Sequence, residues 1–203
     1  MTEAMKIILA TANRDKVREM RHALDGLPVE ILTRDDVPGL PDVEEDGATL
    51  ADNAIKKARE ICDALGVPAV ADDTGLEVDA LGGEPGVYSS RFAGPGATYA
   101  DNVRLLLDRM RDVPDGSRTA RFRCVVALAE PNGAHLFVEG VCEGVITREP
   151  RGNGGFGYDP IFLATETGRT FAEMSVAEKH GISHRGLAMA RMRKVLAERF
   201  LLG

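Results

Sequence analysis

Several short polar stretches of this chain hold residue types that do chemistry together. In ADDTG, residues 71–75, Asp72 and Asp73 are adjacent carboxylates at what reads as the carboxyl end of an apolar strand. Like charges so close raise each other's pKa, so the pair calls for a nearby cation, a turn into solvent, or a base tuned for proton transfer. An ordinary Asp-Gly turn is the plain alternative. In VEEDG, Glu44 and Glu45 end an acidic loop just ahead of a helix. Hard oxygen ligands from two separated segments suit a magnesium ion shared with a phosphate chain.

Four further stretches add charge and aromatic surface. TANRDK, spanning Thr11, Ala12, Asn13, Arg14, Asp15 and Lys16, is a polar loop where a strand feeds a helix. The N–H groups and dipole of a helix start attract phosphate, and Lys16 adds a full charge. The plainer reading makes Asn13 a helix cap and leaves Lys16 on a solvated face. In DNAIKKARE, Asn53 and Lys57 stand four apart and share a helix face. EKHGISHRG sets Lys179, His184 and Arg185 between two helical segments, as donors for acceptor atoms on a base edge or as plain surface charge. RGNGGFGYDP spells Gly-x-Gly-x-x-Gly, but Pro160, Ile161 and Phe162 follow as strand, whereas a dinucleotide fingerprint leads into a helix. What remains is a glycine loop carrying Phe156, Gly157, Tyr158 and Asp159, with an aromatic ring suited to stacking on a base.

The elements that must position these residues can be read from periodicity. KIILA is a short strand, followed by a helix on Val17, Met20 and Leu24; VEILT is extended; Leu50, Ala54, Ala58, Ile61 and Leu65 mark one helix face. AVADD returns to strand, Tyr99, Val103, Leu106 and Met110 mark a helix, and ARFRCVVALAE and HLFVEGVCEGVIT should pair as an antiparallel hairpin across PNG. Ser175 and Glu178 fit a capping box, Ser183 suits a further cap, and Ala188, Met192, Val195 and Leu196 lie at helical spacing. The expected architecture is a mixed-sheet α/β fold of one domain, residues 1–203, with two lobes around a ligand cleft.

Composition narrows the classes. A chain of 203 residues with net charge −7 disfavours nucleic acid and anionic membranes as partners, and it has neither a spanning segment nor a signal peptide, which points to the cytoplasm. Three scattered cysteines and four histidines without a ligand motif favour reduced thiols and argue against a zinc site.

LATANRDKVRE, NAIKKAR, ADDTGLEVDALGGEPGVYSSRFAG, ITREPRGNGGFGYDPIF and EKHGISHRG occur in one order along nearly the full length. In these stretches the chain resembles the Ham1/RdgB family of inosine and xanthosine triphosphate pyrophosphatases. Ala12 and Thr74 are small departures, and Asp46 stands where Thr or Ser is usual. The resemblance implies an elongated two-lobed homodimer around a central mixed sheet with flanking helices, and hydrolysis of ITP, dITP and XTP to the monophosphate and pyrophosphate. It makes Asp73 the proton acceptor and, with Glu44, a ligand of magnesium. It gives residues 11–16 and Lys57 to the triphosphate, Thr74 to substrate, and residues 156–159 to the base pocket. Lys179, His184 and Arg185 complete binding, with Lys16, Lys57 and Lys179 neutralising the leaving pyrophosphate and His184 and Arg185 donating to O6 of the base. A Maf-like pyrophosphatase and a nucleotide sensor without turnover are the rival readings.

Overall fold

The computed structural model describes residues 5–201. The chain forms two compact units. The first takes the chain up to Asp73, Cys124–Gly140 and the chain from Arg185; the second takes Thr74–Arg123 and Val141–His184.

In the first unit, β1 (Met5–Leu9) pairs in parallel with β2 (Val29–Leu32) on one side and with the start of β3 (Ala69–Val78) on the other. The strand order continues from β3 to β5 (Thr119–Ala129) and β6 (His135–Ile146), which join through the turn at 130–134 as the expected hairpin. Two of this unit's helices connect its parallel strands: α1 (Arg14–Leu24) follows β1 and α2 (Leu50–Leu65) precedes β3. Crossovers between parallel strands require such elements. Met20 and Leu24 of α1 pack into the core with Ile7, Val70, Cys124 and Val126. Ala188, Met189 and Met192 of α5 (His184–Leu201) join the same core.

In the second unit the later part of β3 takes the two-residue β4 (Pro85–Gly86) in antiparallel register. The order then runs through β5 and β6 to β7 (Phe162–Ala164) and β8 (Arg169–Thr170), both antiparallel to their neighbours. α3 (Tyr99–Arg109) and the short α4 (Val176–Ile182) begin with complete capping boxes, Thr98 with Asp101 and Ser175 with Glu178. Ser183 stands between α4 and α5, and its N–H donates to the Lys179 carbonyl oxygen at the end of α4. The core is aromatic: Phe122, Phe162 and Phe171 lie with ring centroids 4.7–5.9 Å apart. Arg118 is buried without a carboxylate; it donates to the carbonyl oxygens of Met110, Val113, Ile146 and Thr147 and so ties the end of α3 to the end of β6. Among the described residues no helix is long and apolar enough to cross a membrane.

One expectation is corrected. ADDTG is not a strand end or a turn: β3 continues through it to Val78, held by β4 alongside Leu76 and Glu77. Gly75 is there for space, since a Cβ at this position would lie 2.7 Å from the Gly86 carbonyl oxygen. Gly75→Ala should therefore force β3 and β4 apart and cost about 1–3 kcal/mol. Urea denaturation of the variant measures this, and an unchanged midpoint would show that the strands yield freely.

Candidate functional site

The first cluster is built on β3. Successive strand residues point to opposite faces, so the Asp72 and Asp73 carboxylates make their direct contacts with different side chains. Asp72, fully buried, accepts from Lys16 Nζ at 3.1 Å and Arg185 Nε at 3.1 Å on the same Oδ2. Burial pushes the Asp72 carboxyl up, but Lys16, then Arg185 and Lys57, outweigh it and hold it far below the usual carboxylate range. Arg185 also donates to Glu19 Oε2 at 2.5 Å, so the guanidinium bridges two carboxylates. Asp72, Asp73 and Glu45 all face cations drawn from helices whose apolar sides are buried in the core.

Asp73 lies in a different setting. Its Oδ2 accepts from Asn53 Nδ2 at 3.1 Å, and its Oδ1 is 3.4 Å from Lys57 Nζ. Asn53 and Lys57 come from one face of α2, as their spacing required, and both are buried. Burial raises the Asp73 pKa above that of an ordinary aspartate against the pull of Lys57 and Lys16, and Glu45 raises it further. Burial also works against the Lys57 ammonium, but Asp73, Asp72 and Glu45 together outweigh it and raise its pKa. The pair is a proton acceptor of increased basicity next to a cation that stays charged.

The acidic loop reaches this point through Glu45. Its Oε1 accepts from Lys57 Nζ at 2.7 Å, while the adjacent Asp46 pairs with Lys56 at 2.6 Å and Gly47 N donates to Asn53 Oδ1 at 2.8 Å. Glu44, the expected partner of Asp73, is exposed, and its charge acts on Lys56 instead. The three successive tethers of residues 45–47 set this register, and the carboxylate beside Asp73 is Glu45. Glu45 and Asp73 converge on one ammonium, so two hard oxygen donors already face a common positive charge, as a magnesium site needs. In the ion pairs of this cluster Lys16, Lys57 and Arg185 meet Glu19, Glu45, Asp72 and Asp73.

TANRDK resolves into both of its readings. Asn13 caps α1 by accepting from the N–H groups of Asp15 and Lys16, and Thr11 Oγ1 accepts from Asn13 N at 3.2 Å. Lys16, however, leaves solvent for Asp72. Ala12 and Arg14 are exposed, and Asp15 pairs with Arg18.

The second cluster lies in the second unit. Asp159, buried, accepts from Lys179 Nζ at 2.7 Å and from Phe156 N at 2.8 Å, both on Oδ2. Lys179 stands 4.8 Å from the centroid of the Phe156 ring, which Tyr99 flanks at 5.9 Å. Gly155 has φ +71° and its missing Cβ leaves the space that Asp159 Oδ2 fills, so the loop can wrap the carboxylate. Within the second unit Lys179 thus contacts Asp159 and Phe156. Tyr158 is a core residue: its hydroxyl donates to the Ser89 carbonyl at 2.9 Å, and burial pushes its pKa up. Gly157 sits in the left-handed region and Thr74 is half-buried in β3. His184 is buried with its ring stacked on Phe122, centroids 4.4 Å apart. Arg185, expected as a base donor, pairs in this structure with buried Asp72 and half-buried Glu19. Glu19 escaped the sequence reading; its one signal is its place three residues after Lys16 on the same helix.

One cluster can hold a polyanion and accept a proton; the other offers a half-buried ring beside an ammonium. They sit on an α/β fold whose relatives are known. The Ham1 family profile matches residues 7–195, and the chain belongs to that family. A dITP/XTP pyrophosphatase of Desulforamulus reducens is 51% identical over 192 residues, covering 95% of this chain and 96% of the relative. One from Geobacter sulfurreducens is 47% identical, covering 93% and 94%. The solved structure of a HAM1 protein from Coxiella burnetii superposes with a TM-score of 0.88 at 45% identity, covering 96% of this chain and 99% of that one.

The Asp72 network has a measurable weight. Asp72→Asn leaves Lys16 and Arg185 facing each other with their shared carboxylate gone, a loss expected to cost about 3–5 kcal/mol at pH 7. Because the folded-state pKa is depressed, this stability is present above the unfolded value and is lost as pH falls through it. The gap between wild type and variant should therefore narrow below about pH 4. Denaturation curves across pH would show it; a gap constant down to pH 3 would contradict the assignment.

Proposed function

We propose that this protein is a magnesium-dependent nucleoside triphosphate pyrophosphohydrolase that takes noncanonical purine nucleotides, ITP, dITP and XTP, to the monophosphate and pyrophosphate. The observation that carries the reading is Asp73: a buried carboxylate of raised basicity, fixed by Asn53 and set against Lys57. The printed activity of the relatives, dITP/XTP pyrophosphatase, supports it. Dimeric assembly and a cytoplasmic setting belong to the same proposal.

Lys16 and Lys57, with the loop from Thr11, are assigned to the triphosphate. Asp73 takes the proton of the attacking water as its oxygen bonds to the α-phosphorus; the bond to the bridging oxygen breaks and pyrophosphate leaves. Glu45 and Asp73 would hold magnesium, which when bound draws charge from the phosphate oxygens. Asn53 keeps Asp73 from turning away. Phe156 is assigned to stacking on the purine, and Lys179, a pure donor fixed by Asp159, to the acceptor oxygen O6. Adenine presents a donor there and would leave the ammonium facing a second donor.

Pyrophosphate release from ITP, dITP, XTP, GTP and ATP, with magnesium and with a chelator, tests this directly. Metal-dependent turnover of the first three is expected; tight binding without turnover would make the chain a sensor, and turnover of common nucleotides would favour a Maf-like role. Asp73→Asn should keep the nucleotide bound while kcat falls about 10³-fold; an unchanged kcat would remove Asp73 from the chemistry. Phe156→Ala should raise KM about tenfold, the scale of one base stack, and equal KM values would place stacking elsewhere.

A further inference from the structure

Lys57 has three N–H donors, and each has an acceptor: Glu45 Oε1 at 2.7 Å, the Asp72 carbonyl oxygen at 2.6 Å and Asp73 Oδ1 at 3.4 Å. The ammonium is therefore saturated, and a phosphate oxygen can reach it only by displacing one of the three. The Asp72 carbonyl is backbone in the middle of β3 and cannot withdraw. Asp73 is buried in the same strand and held by Asn53 as well. Glu45 differs: it lies on a loop outside any helix or strand and its side chain is 31% exposed.

We propose that Glu45 holds the phosphate place on Lys57 in the ligand-free protein, and that it is surrendered to a divalent cation, so that Lys57 becomes available to phosphate only when metal is present. The inference rests on the phosphate role given to Lys57 above. Glu45 is then a carboxylate with two partners used in turn. Without metal it neutralises Lys57 and lowers the affinity of the site for any anion. With metal it turns to the cation, and the freed ammonium and the metal act on the phosphate chain together. The loop keeps its place during the exchange through the Asp46–Lys56 ion pair and the Gly47–Asn53 hydrogen bond, which tether the two residues that follow Glu45. The consequence is that free nucleotide, without a cation, is turned away by an internal competitor as well as by a missing charge.

The test is binding, not turnover. Inorganic pyrophosphate is titrated calorimetrically into metal-free protein, and Mg²⁺ alone is titrated separately. Glu45→Gln should bind metal-free pyrophosphate about tenfold more tightly than wild type, the scale of one charge-assisted hydrogen bond, and should bind Mg²⁺ more weakly. Asp46→Asn removes the same charge one residue on and loosens the same loop, yet leaves Lys57 covered, so its pyrophosphate affinity should stay within about twofold of wild type. Equal gains in both variants would reduce the effect to net charge and overturn the proposal, as would no gain in Glu45→Gln or unaltered Mg²⁺ binding. The outcome is separable from the assigned activity: turnover of ITP with no effect of Glu45→Gln on binding sinks the exchange alone, and the expected binding pattern without turnover of any triphosphate sinks the activity alone.

Discussion

The constraint on which the first unit depends is the burial of two carboxylates in the middle of one strand. Isolated carboxylates cannot be taken out of water without paired charge. Every helix of that unit answers it: α1 supplies Lys16, α2 supplies Lys57 and Asn53, and α5 supplies Arg185. Each helix is itself held by an apolar face, Met20 and Leu24 on α1, Ala54 and Ala58 on α2, Ala188 and Met192 on α5. Hydrophobic packing thus fixes where the cations stand, and the cations make the buried acids tolerable. The alternation of the strand separates the two acids into unequal environments: Asp72, between two cations, is locked in the charged form, whereas Asp73, with burial dominant, has basicity to use.

The second unit applies the same device once more on a smaller scale. Asp159 is buried and paired with Lys179, and the pair is oriented by the backbone of the glycine loop rather than by a strand. Holding Phe156 N and Lys179 on one oxygen fixes the ring and the ammonium together. The ring lies half-buried under a charge that cannot drift, as a flat recognition surface with one defined donor requires.

Much of this was legible from the sequence because it is local. Helical spacing placed Asn53 and Lys57 on one face, the Asn13 cap and the Ser175 box follow from side chains reaching backbone two or three residues away, and the strand after the glycine loop excluded a dinucleotide fingerprint. What was not legible depended on pairing across the chain. ADDTG read as a strand end, with an Asp-Gly turn as the alternative, because nothing local reveals the β4 and β5 neighbours beside the strand that continues through it. Glu44 and Glu45 were indistinguishable because the choice between them is made by tethers to α2. The pairing of Arg185 with Glu19 and Asp72 was hidden because nothing local reveals that those carboxylates face it.

These placements bear on the choice between an enzyme and a binding module. A module that only holds nucleotide gains from a fully paired, permanently charged carboxylate, of the kind Asp72 is. It gains nothing from a second one pushed toward the protonated form by burial and by the proximity of Glu45, since that raises the cost of the folded, charged state. The fold nevertheless keeps Asp73 buried, orients it with the donating end of the Asn53 amide, and saturates the neighbouring lysine with groups of which one, Glu45, lies on a partly exposed loop. Such an arrangement costs stability and yields a base whose partners exchange when charge enters the site. It is the expected outcome where proton transfer, rather than retention of the ligand, sets the requirement.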